Sequence, residues 1–294
     1  MRKGQYHTVP FSAFTNRQEV MPVKHFALLG EKLGHSLSVP IHQAIFRHLG
    51  LQDTYELLEI SRERFPEEAA RAMKEYDGLN VTIPYKKDIL PLLSSMDPLA
   101  KKVGAVNTVL CSQARGYNTD VQGFAYMLRS AAIDPAGEDC YVLGTGGASR
   151  AVVTALDTMG AQSVTLVSRT PGPGAISYQE LVQCFHGILV NTTPCGMYPR
   201  PEGCPLDPEL LPRLFRSCRG VADLIYNPRE TVLTAAAHAC GIPRVTGLSM
   251  LVHQAVAAES VWQGRALDDD LTRAILEEGI SLCIFLCSTV RIST

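Results

Sequence analysis

Three polar clusters in the first half of the chain hold the side chains best suited to chemistry. They offer hydroxyls, carboxamides, a cation and a carboxylate. The first is His35-Ser36-Leu37-Ser38, the second is Asn80-Val81-Thr82-Ile83-Pro84-Tyr85-Lys86, and the third is Asn107-Thr108 followed by Asn118-Thr119-Asp120. A ring compound with one carboxylate and several hydroxyls needs such partners, because each polar group that it buries must find a hydrogen bond. The clusters therefore predict a binding pocket for a small polyhydroxylated acid.

Lys86 and Asp120 are the predicted catalytic residues. When hydride reaches a ketone carbon, negative charge develops on the oxygen, and a cation within hydrogen-bonding distance stabilises that charge and delivers a proton. Lys86 suits this role, and Asp120 would position the ammonium and the reacting hydroxyl. The sequence leaves open which of the two is the formal acid or base. A purely structural alternative is that Lys86 starts a solvated helix and that Asp120, Ser36 and Ser38 cap helices.

A glycine-rich turn lies near the middle of the chain. Gly144, Gly146 and Gly147, followed by Ala148, separate the apolar run Tyr141–Leu143 from a stretch with the apolar spacing of a helix. Glycines in this context let backbone N–H groups and a helix N-terminus approach a pyrophosphate. We therefore predict a dinucleotide site, with an ordinary strand-to-helix turn as the alternative.

Ser168, Arg169 and Thr170 follow the next apolar run and indicate which dinucleotide binds. An NAD site places Asp or Glu at this point for the ribose hydroxyls, whereas a guanidinium pairs with a 2′-phosphate. The residues predict NADP as the cofactor. NAD is an alternative because the following Pro171-Gly-Pro-Gly174 supplies no second basic residue, and Arg169 as a solvated surface residue is the structural alternative.

Strand-like and helix-like segments alternate from Val23 onward, which is typical of parallel sheets covered by helices. Strands are predicted at Lys24–Leu29, Tyr55–Ile60, Leu79–Thr82, Tyr141–Leu143, Val164–Val167, Ile188–Val190 and Ala222–Ile225. Helices are predicted at Val39–Leu49, Arg64–Lys74, Lys87–Leu93, Asp97–Val103, Ala148–Thr158 and Gly247–Trp262. The predicted fold class is α/β with two domains and a cleft between them: an N-terminal α/β substrate-binding and catalytic domain (23–122 and 248–294), a Rossmann-type NADP-binding domain (123–247), and an extension at 1–22.

Composition narrows the class of protein. The 294 residues are 46% hydrophobic and carry a formal net charge of -2, which argues against a surface for nucleic acid or anionic membrane. The nine cysteines show no CxxC pair and predict reduced thiols in the cytoplasm. The histidines are dispersed, so we expect no metal site and a structural role for His35, His42 and His253. The apolar tail Ile280–Val290 is too short to span a membrane.

The chain resembles the shikimate dehydrogenase family, including its quinate/shikimate relatives, from about Phe26 to Gly264. The resemblance rests on several separate motifs in the right order. They are Gly30 to His42, Asn80 to Lys86, Gly104-Ala-Val-Asn-Thr108, Asn118-Thr-Asp120, Gly144-Thr-Gly-Gly-Ala148, Asn191-Thr-Thr-Pro-Cys-Gly-Met197, Asp223-Leu-Ile-Tyr-Asn-Pro228 and Gly247-Leu-Ser-Met-Leu-Val-His-Gln254.

The resemblance implies a role for each matching position. Ser36 and Ser38 would hold the substrate carboxylate, and Lys86 with Asp120 would form the catalytic pair. The ring hydroxyls would be bound by Asn80, Thr82, Asn107, Asp120 and Gln254. Tyr226 and Met250 would lie near the substrate and the nicotinamide, and the cofactor positions would include Asn191, Thr192 and Gly247.

The implied activity is NADPH-dependent, reversible reduction of 3-dehydroshikimate to shikimate in aromatic amino acid biosynthesis. One alternative is a quinate/shikimate dehydrogenase that uses NAD or NADP in quinate catabolism. Another is a non-catalytic NADP-binding sensor, against which the presence of both Lys86 and Asp120 speaks. The expected partner is the small-molecule substrate alone, bound by a monomer or a homodimer.

Overall fold

The computed structural model describes residues 22–34 and 36–278. Most of the predicted extension (1–21), His35 and the apolar tail that begins at Ile280 lie outside the described residues. The described chain forms two six-stranded sheets covered by helices. The predicted α/β fold class is therefore confirmed.

The elements follow one another in strand and helix alternation for most of the chain. The strands are β1 His25–Gly30, β2 Thr54–Glu59, β3 Gly78–Val81, β4 Ser95–Met96, β5 Thr108–Leu110, β6 Arg115–Tyr117, β7 Asp139–Leu143, β8 Ser163–Val167, β9 Ala175–Ile176, β10 Gly187–Asn191, β11 Cys218–Asp223 and β12 Arg244–Thr246. The α-helices are α1 Ser38–Leu49, α2 Phe65–Glu75, α3 Pro98–Val103, α4 Asp120–Ser130, α5 Gly147–Thr158, α6 Tyr178–Cys184, α7 Leu211–Leu214, α8 Val232–Ala239 and α9 Leu248–Gln263, and residues 269–278 are also helical.

The first sheet has the strand order β2-β1-β3-β5-β6-β4 and is mixed. Strand β1 is parallel to β2 and β3, whereas β5 is antiparallel to both β3 and β6. The sequence pattern predicts only parallel strands. The difference arises because the turn Cys111–Gln113 that joins β5 to β6 is far shorter than a parallel crossover requires.

The second sheet is parallel throughout, with the order β12-β11-β10-β7-β8-β9. This is the doubly wound order of a Rossmann-type fold, in which the chain reverses direction across the sheet between its first and fourth strands, here β7 and β10. Val142 packs into the core on one face of the sheet and Leu143 into the core on the other. Both faces are therefore buried, which explains why these strands are continuous apolar runs.

Helices α4 and α9 connect the two sheets. Helix α4 packs on the second sheet through Phe124, and α9 returns to the first, where Trp262 stacks on Phe26 with ring centroids 4.5 Å apart. The two helices cross at Gly123, where a Cβ atom would lie 2.7 Å from the Met250 carbonyl oxygen. Helix α9 thus returns the chain to the first sheet.

Two predicted elements differ from the structure. Residues 87–89 form turns, followed by only a short 3-10 segment Leu90–Leu92, so the prediction of a helix over Lys87–Leu93 is wrong. Pro91 has no N–H to continue an α-helical ladder, which explains the break. The strand predicted at Ala222–Ile225 begins at Cys218 and ends at Asp223. Arg219 and Gly220 interrupt the apolar run and obscure its start.

Candidate active site

The polar clusters meet at one edge of the first sheet. Strand register places Asn80 opposite Thr108, and Thr108 opposite Tyr117. Since β5 runs antiparallel, its first residues lie beside the last residues of β3 and β6. The segments that follow β3 and β6 and the segment that precedes β5 therefore converge, which brings together residues more than thirty positions apart.

Lys86 and Asp120 form an ion pair at this edge. The Lys86 Nζ donates to Asp120 Oδ2 at 2.6 Å, and their side chains are 26% and 15% exposed. The Lys86 backbone is fixed as well, because Val106 N–H donates to its carbonyl oxygen at 2.8 Å. Within residues 22–34 and 36–278, Asp120 is the one hydrogen-bond acceptor for Lys86 Nζ, which leaves two N–H bonds for a ligand.

Asp120 does not cap its helix. It is the first residue of α4, the N-cap is Thr119, and no side chain makes a capping hydrogen bond there. The second carboxylate oxygen of Asp120 instead accepts from Asn107 Nδ2 at 2.9 Å. The structural alternative for Asp120 is therefore wrong, because both its oxygens face the cluster.

Asn107 lies at the centre of a buried hydrogen-bond network. Its Oδ1 accepts from Thr119 N–H at 2.8 Å and from the Thr108 hydroxyl at 3.1 Å. Asn80 Nδ2 donates to the Asn107 carbonyl and to Thr108 Oγ1, both at 3.1 Å, and Asn80 Oδ1 accepts from the Tyr55 hydroxyl at 2.7 Å. The network holds Asn107, and through it Asp120, in one orientation.

Ser36 and Ser38 lie together at the start of helix α1. The Ser36 hydroxyl donates to Ser38 Oγ at 3.1 Å and accepts from Ser38 N–H at 3.2 Å. The N-cap of α1 is Leu37, which makes no side-chain capping bond, so Ser38 does not cap the helix, whereas Ser36 accepts from the first helical N–H. Ser38 also contacts the Tyr55 hydroxyl, which connects the serines to the Asn80 side of the network.

The other predicted substrate residues are Thr82, Gln254 and Tyr226. Thr82 directly follows β3 and is half-buried. Gln254 lies on α9 next to Gly123, one turn along α4 from Asp120, with its Cβ 3.0 Å from where a Gly123 Cβ would be. Tyr226 follows β11 and is half-buried.

The glycine loop joins β7 to α5. Gly144 has a φ of +102°, and a Cβ there would lie 2.9 Å from Thr192 Oγ1, so only glycine fits where β7 and β10 end side by side. At Gly146 and Gly147 a Cβ would meet no heavy atom of the described residues within 4 Å. The first turn of α5, which includes Ala148, contains no acidic residue. The loop thus offers an open helix N-terminus that favours an anion.

The segment before Asn107 lies against the helix that follows the glycine loop. A Cβ at Gly104, three residues before Asn107, would lie 3.6 Å from Arg150 Nη1 in the first turn of α5. Helices α3 and α5 are also joined by Lys102 Nζ and Asp157 Oδ2 at 3.2 Å. The segment that leads to Asn107 and helix α3 therefore pack against helix α5, which begins at the glycine loop.

The ends of the remaining strands of the second sheet carry the other predicted cofactor residues. Ser168, Arg169 and Thr170 follow β8, where the Ser168 hydroxyl accepts from Thr170 N–H at 3.2 Å and Arg169 is exposed. Gly247 precedes α9, and a Cβ there would lie 2.0 Å from the Leu224 carbonyl oxygen. Met250, in the first turn of α9, packs against the core of the second sheet.

Asp223 ties two of these strand ends together. Its buried carboxylate accepts from Asn191 Nδ2 at 3.0 Å and from the Thr231 hydroxyl at 2.8 Å. Asn191 Oδ1 in turn accepts from Thr193 N–H at 3.0 Å. Burial raises the pKa of Asp223 to about 6, although its hydrogen bonds oppose the rise.

Sequence reasoning missed Tyr55, Glu259 and the place of His42. The His42 Nδ1 lies 2.7 Å from Glu259 Oε1, with both side chains fully buried, and the His42 ring stacks on Tyr55. No local pattern links these residues, since Tyr55 is an ordinary buried position of a strand. The one available signal was Glu259, a charged residue within the otherwise apolar face of a predicted helix.

The described residues contain neither a membrane-spanning helix nor a cluster of metal ligands. None of their helices is both long and apolar enough to cross a membrane. Within residues 22–34 and 36–278, no three His, Cys, Asp or Glu side chains group as ligands of a metal ion would.

Comparisons with known proteins agree with this geometry. Residues 28–109 match the family profile described as the shikimate dehydrogenase substrate binding domain. The NADP(+) shikimate dehydrogenase of Clostridium beijerinckii is 37% identical over 266 residues, which cover 86% of this chain and 97% of the relative.

Solved structures give the same result. A chorismate mutase/shikimate 5-dehydrogenase fusion protein from Clostridium acetobutylicum has a TM-score of 0.83 and 37% identity, covering 89% of this chain and 100% of that one. Shikimate 5-dehydrogenase from Thermus thermophilus, solved with NADP(H) and shikimate, has a TM-score of 0.76 and 31% identity, covering 87% and 99%. The chain belongs to the shikimate dehydrogenase family.

Proposed function

We propose that this chain is a shikimate dehydrogenase that catalyses the reversible, NADP-dependent reduction of 3-dehydroshikimate to shikimate, a step of aromatic amino acid biosynthesis. The observation that carries the proposal is the ion pair of Lys86 and Asp120, which Asn107 holds in place. The segment before Asn107 packs against the helix that follows the glycine loop. Carbonyl reduction by a dinucleotide requires a cation that can donate a hydrogen bond to the reacting oxygen, and Lys86 keeps N–H bonds for this beyond the one given to Asp120.

The residues around NADP fit the cofactor. Gly144, Gly146 and Gly147 leave room for a pyrophosphate at the N-terminus of α5, and Arg169 provides the charge for a 2′-phosphate. Asn191 and Thr192 line the adjoining strand end. The bound nicotinamide supplies the hydride chemistry.

Lys86 stabilises the oxygen on which charge develops. Its ammonium has two N–H bonds beyond the one given to Asp120, so it can donate to a substrate oxygen without losing the pair. As the ketone is reduced, Lys86 delivers a proton to that oxygen, and Asp120 holds the ammonium in place. Asn107 fixes Asp120 by donating to its other carboxylate oxygen, which keeps the pair preorganised.

The substrate ring is held by the surrounding polar groups. Ser36 and Ser38 receive its carboxylate, and Thr82 and Gln254 bind ring hydroxyls, with Tyr226 and Met250 near the nicotinamide. Asn80 has both of its N–H bonds committed to Asn107 and Thr108, so it contacts a ring hydroxyl through its carbonyl oxygen. Its larger contribution is to hold Asn107.

The division of the chain follows the two sheets. We assign 23–122 and 248–294 to substrate binding and catalysis and 123–247 to NADP binding. We place the action of the chain in the reducing cytoplasm, where cysteines stay free, and among the described residues the cysteines form no disulfide. We propose that it acts there as a monomer or a homodimer.

Initial rates test the proposal directly. The purified chain is assayed at the nicotinamide absorbance band with shikimate or quinate, each with NADP or NAD. The highest kcat/KM is expected for shikimate with NADP. A preference for quinate with NAD would assign a quinate dehydrogenase instead, and the absence of turnover with every pair would leave a dinucleotide-binding protein without this activity.

A further inference from the structure

A directional chain of hydrogen bonds runs from Tyr55 to the catalytic pair. The Tyr55 hydroxyl donates to Asn80, whose Nδ2 donates to Thr108 Oγ1. The Thr108 hydroxyl donates to Asn107 Oδ1 at 3.1 Å, and Asn107 Nδ2 donates to Asp120 Oδ1 at 2.9 Å. Every residue in this series of hydrogen bonds except Asp120 is at least nine-tenths buried, so water does not compete for these bonds.

Chemistry fixes the direction of the first two hydrogen bonds, from Tyr55 to Asn80 and from Asn80 to Thr108. The Asn107 carbonyl oxygen can only accept, so the Asn80 group that faces it at 3.1 Å must be the amide nitrogen. Asn80 Oδ1 then faces Tyr55, which must donate. A phenol is the donor that fits, since the Tyr55 pKa is raised well above its usual value, chiefly by burial.

The Tyr55 ring is fixed by packing. It stacks on His42 with centroids 3.8 Å apart and an interplanar angle of 9°. His42 Nδ1 pairs with Glu259 on α9, and His42 Nε2 has no hydrogen-bond partner among the described residues. The imidazole therefore serves Tyr55 as a fixed flat surface, and its anchor lies on the helix that also carries Gln254.

We propose that Tyr55 is a positioning residue for the reaction: its hydroxyl orients Asn80 and, through Thr108, holds Asn107 against Asp120. The inference rests on the proposed function, because it concerns the geometry of that function's catalytic pair. Tyr55 does not touch the pair. It acts through the side-chain amides of Asn80 and Asn107. Flipping either amide would place two hydrogen-bond acceptors face to face.

Tyr55→Phe tests the inference, since it keeps the ring stack and removes one hydroxyl. We expect kcat with shikimate and NADP to fall about tenfold, the rate equivalent of one lost hydrogen bond, while the KM for NADP stays unchanged. Tyr141→Phe is the matched control. Its hydroxyl donates to the Cys184 carbonyl at 3.2 Å in the second sheet, so kcat and both KM values should remain those of the wild type.

Thr108→Val interrupts the same chain at a second point and should lower kcat to a similar extent. In the double variant Tyr55→Phe/Thr108→Val, kcat should fall no further than in the single variant with the lower kcat, because the effects of residues that act in series are not additive. The Thr108 variant also serves if Tyr55→Phe does not fold.

Three results overturn the inference: wild-type kcat in folded Tyr55→Phe, wild-type kcat in Thr108→Val, or losses that multiply in the double variant. Wild-type turnover is measured first. Its absence would count against the proposed function, whereas the ratios between variants judge Tyr55 alone.

Discussion

Replacing Lys86 by alanine is expected to abolish most turnover while leaving the fold intact. The substitution removes the ammonium that stabilises charge on the reacting oxygen and leaves Asp120 without its cation. A positioned acid or electrostatic group contributes about a hundredfold or more, equivalent to about 2.7 kcal/mol of transition-state stabilisation. We therefore expect kcat to fall by at least about a hundredfold, with a smaller change in the KM for shikimate.

The cost in folding stability should be much smaller. The two side chains are 26% and 15% exposed, so solvent screens the pair, and partly exposed ion pairs contribute about 1 kcal/mol or less. Asp120 also keeps its hydrogen bond from Asn107. Urea unfolding of the variant should therefore give a free energy within about 1 kcal/mol of the wild type.

Lys87→Ala is the matched control. Lys87 is the next residue, carries the same charge and is exposed, and no contact joins it to the cluster within the described part of the chain. Initial rates at the nicotinamide absorbance band should be those of the wild type for Lys87→Ala and strongly reduced for Lys86→Ala. Near wild-type kcat in a folded Lys86→Ala protein would remove Lys86 from the mechanism.

Three further predictions concern the second sheet and the helix crossing. Arg169→Asp should weaken NADPH binding by at least about 1.5 kcal/mol and spare NADH, because a charge-assisted contact becomes a repulsion; equal losses in calorimetric titrations with both cofactors would show that Arg169 does not read the 2′-phosphate. The raised pKa of Asp223 means that the folded state holds its proton up to about pH 6, whereas the unfolded state releases it near 3.8. The stability that this group provides is complete below pH 3.8 and is lost as the pH rises to about 6, a change of about 3 kcal/mol. Asp223→Asn should therefore flatten the decline of the unfolding free energy over this window, and an unchanged slope in denaturant titrations would contradict the assignment. Gly123→Ala would place a Cβ 2.7 Å from the Met250 carbonyl oxygen and should destabilise the protein by about 1–3 kcal/mol, although alanine is the better helix former. Gln122→Ala on the exposed face is the control. If the Gly123→Ala variant is as stable as the wild type, helices α4 and α9 can move apart without cost.

Much of the fold could be predicted from periodicity and turn residues. The apolar runs at β7 and β10 and the amphipathic stretch of α5 are local signals, and the structure has elements at those places. The short strands β4, β6, β9 and β12 could not be predicted, since two or three residues carry no period and form only because a neighbouring strand is already in place. The antiparallel β5 likewise depends on a connection length rather than on its own residues.

The polar residues of the candidate site could be singled out from the sequence, but their arrangement could not. Lys86 and Asp120 were identifiable by type and motif, and the structure adds that they touch. Asn80 was predicted as a ligand for the substrate, whereas the structure engages both of its N–H bonds with its neighbours. Which donors remain free for a ligand depends on contacts between segments, so the sequence could not reveal it.

The sequence by itself determined the α/β class, the glycine loop, the arginine that favours NADP, and the residue types available for catalysis, because these depend on spacing within a few turns of chain. Tertiary structure alone decided that Tyr55, stacked on His42, stands behind Asn107 and Asp120. The physical reason is that hydrogen-bond donors and acceptors in a buried network are assigned by their partners. Those partners come from strands and helices that meet only when both sheets have formed.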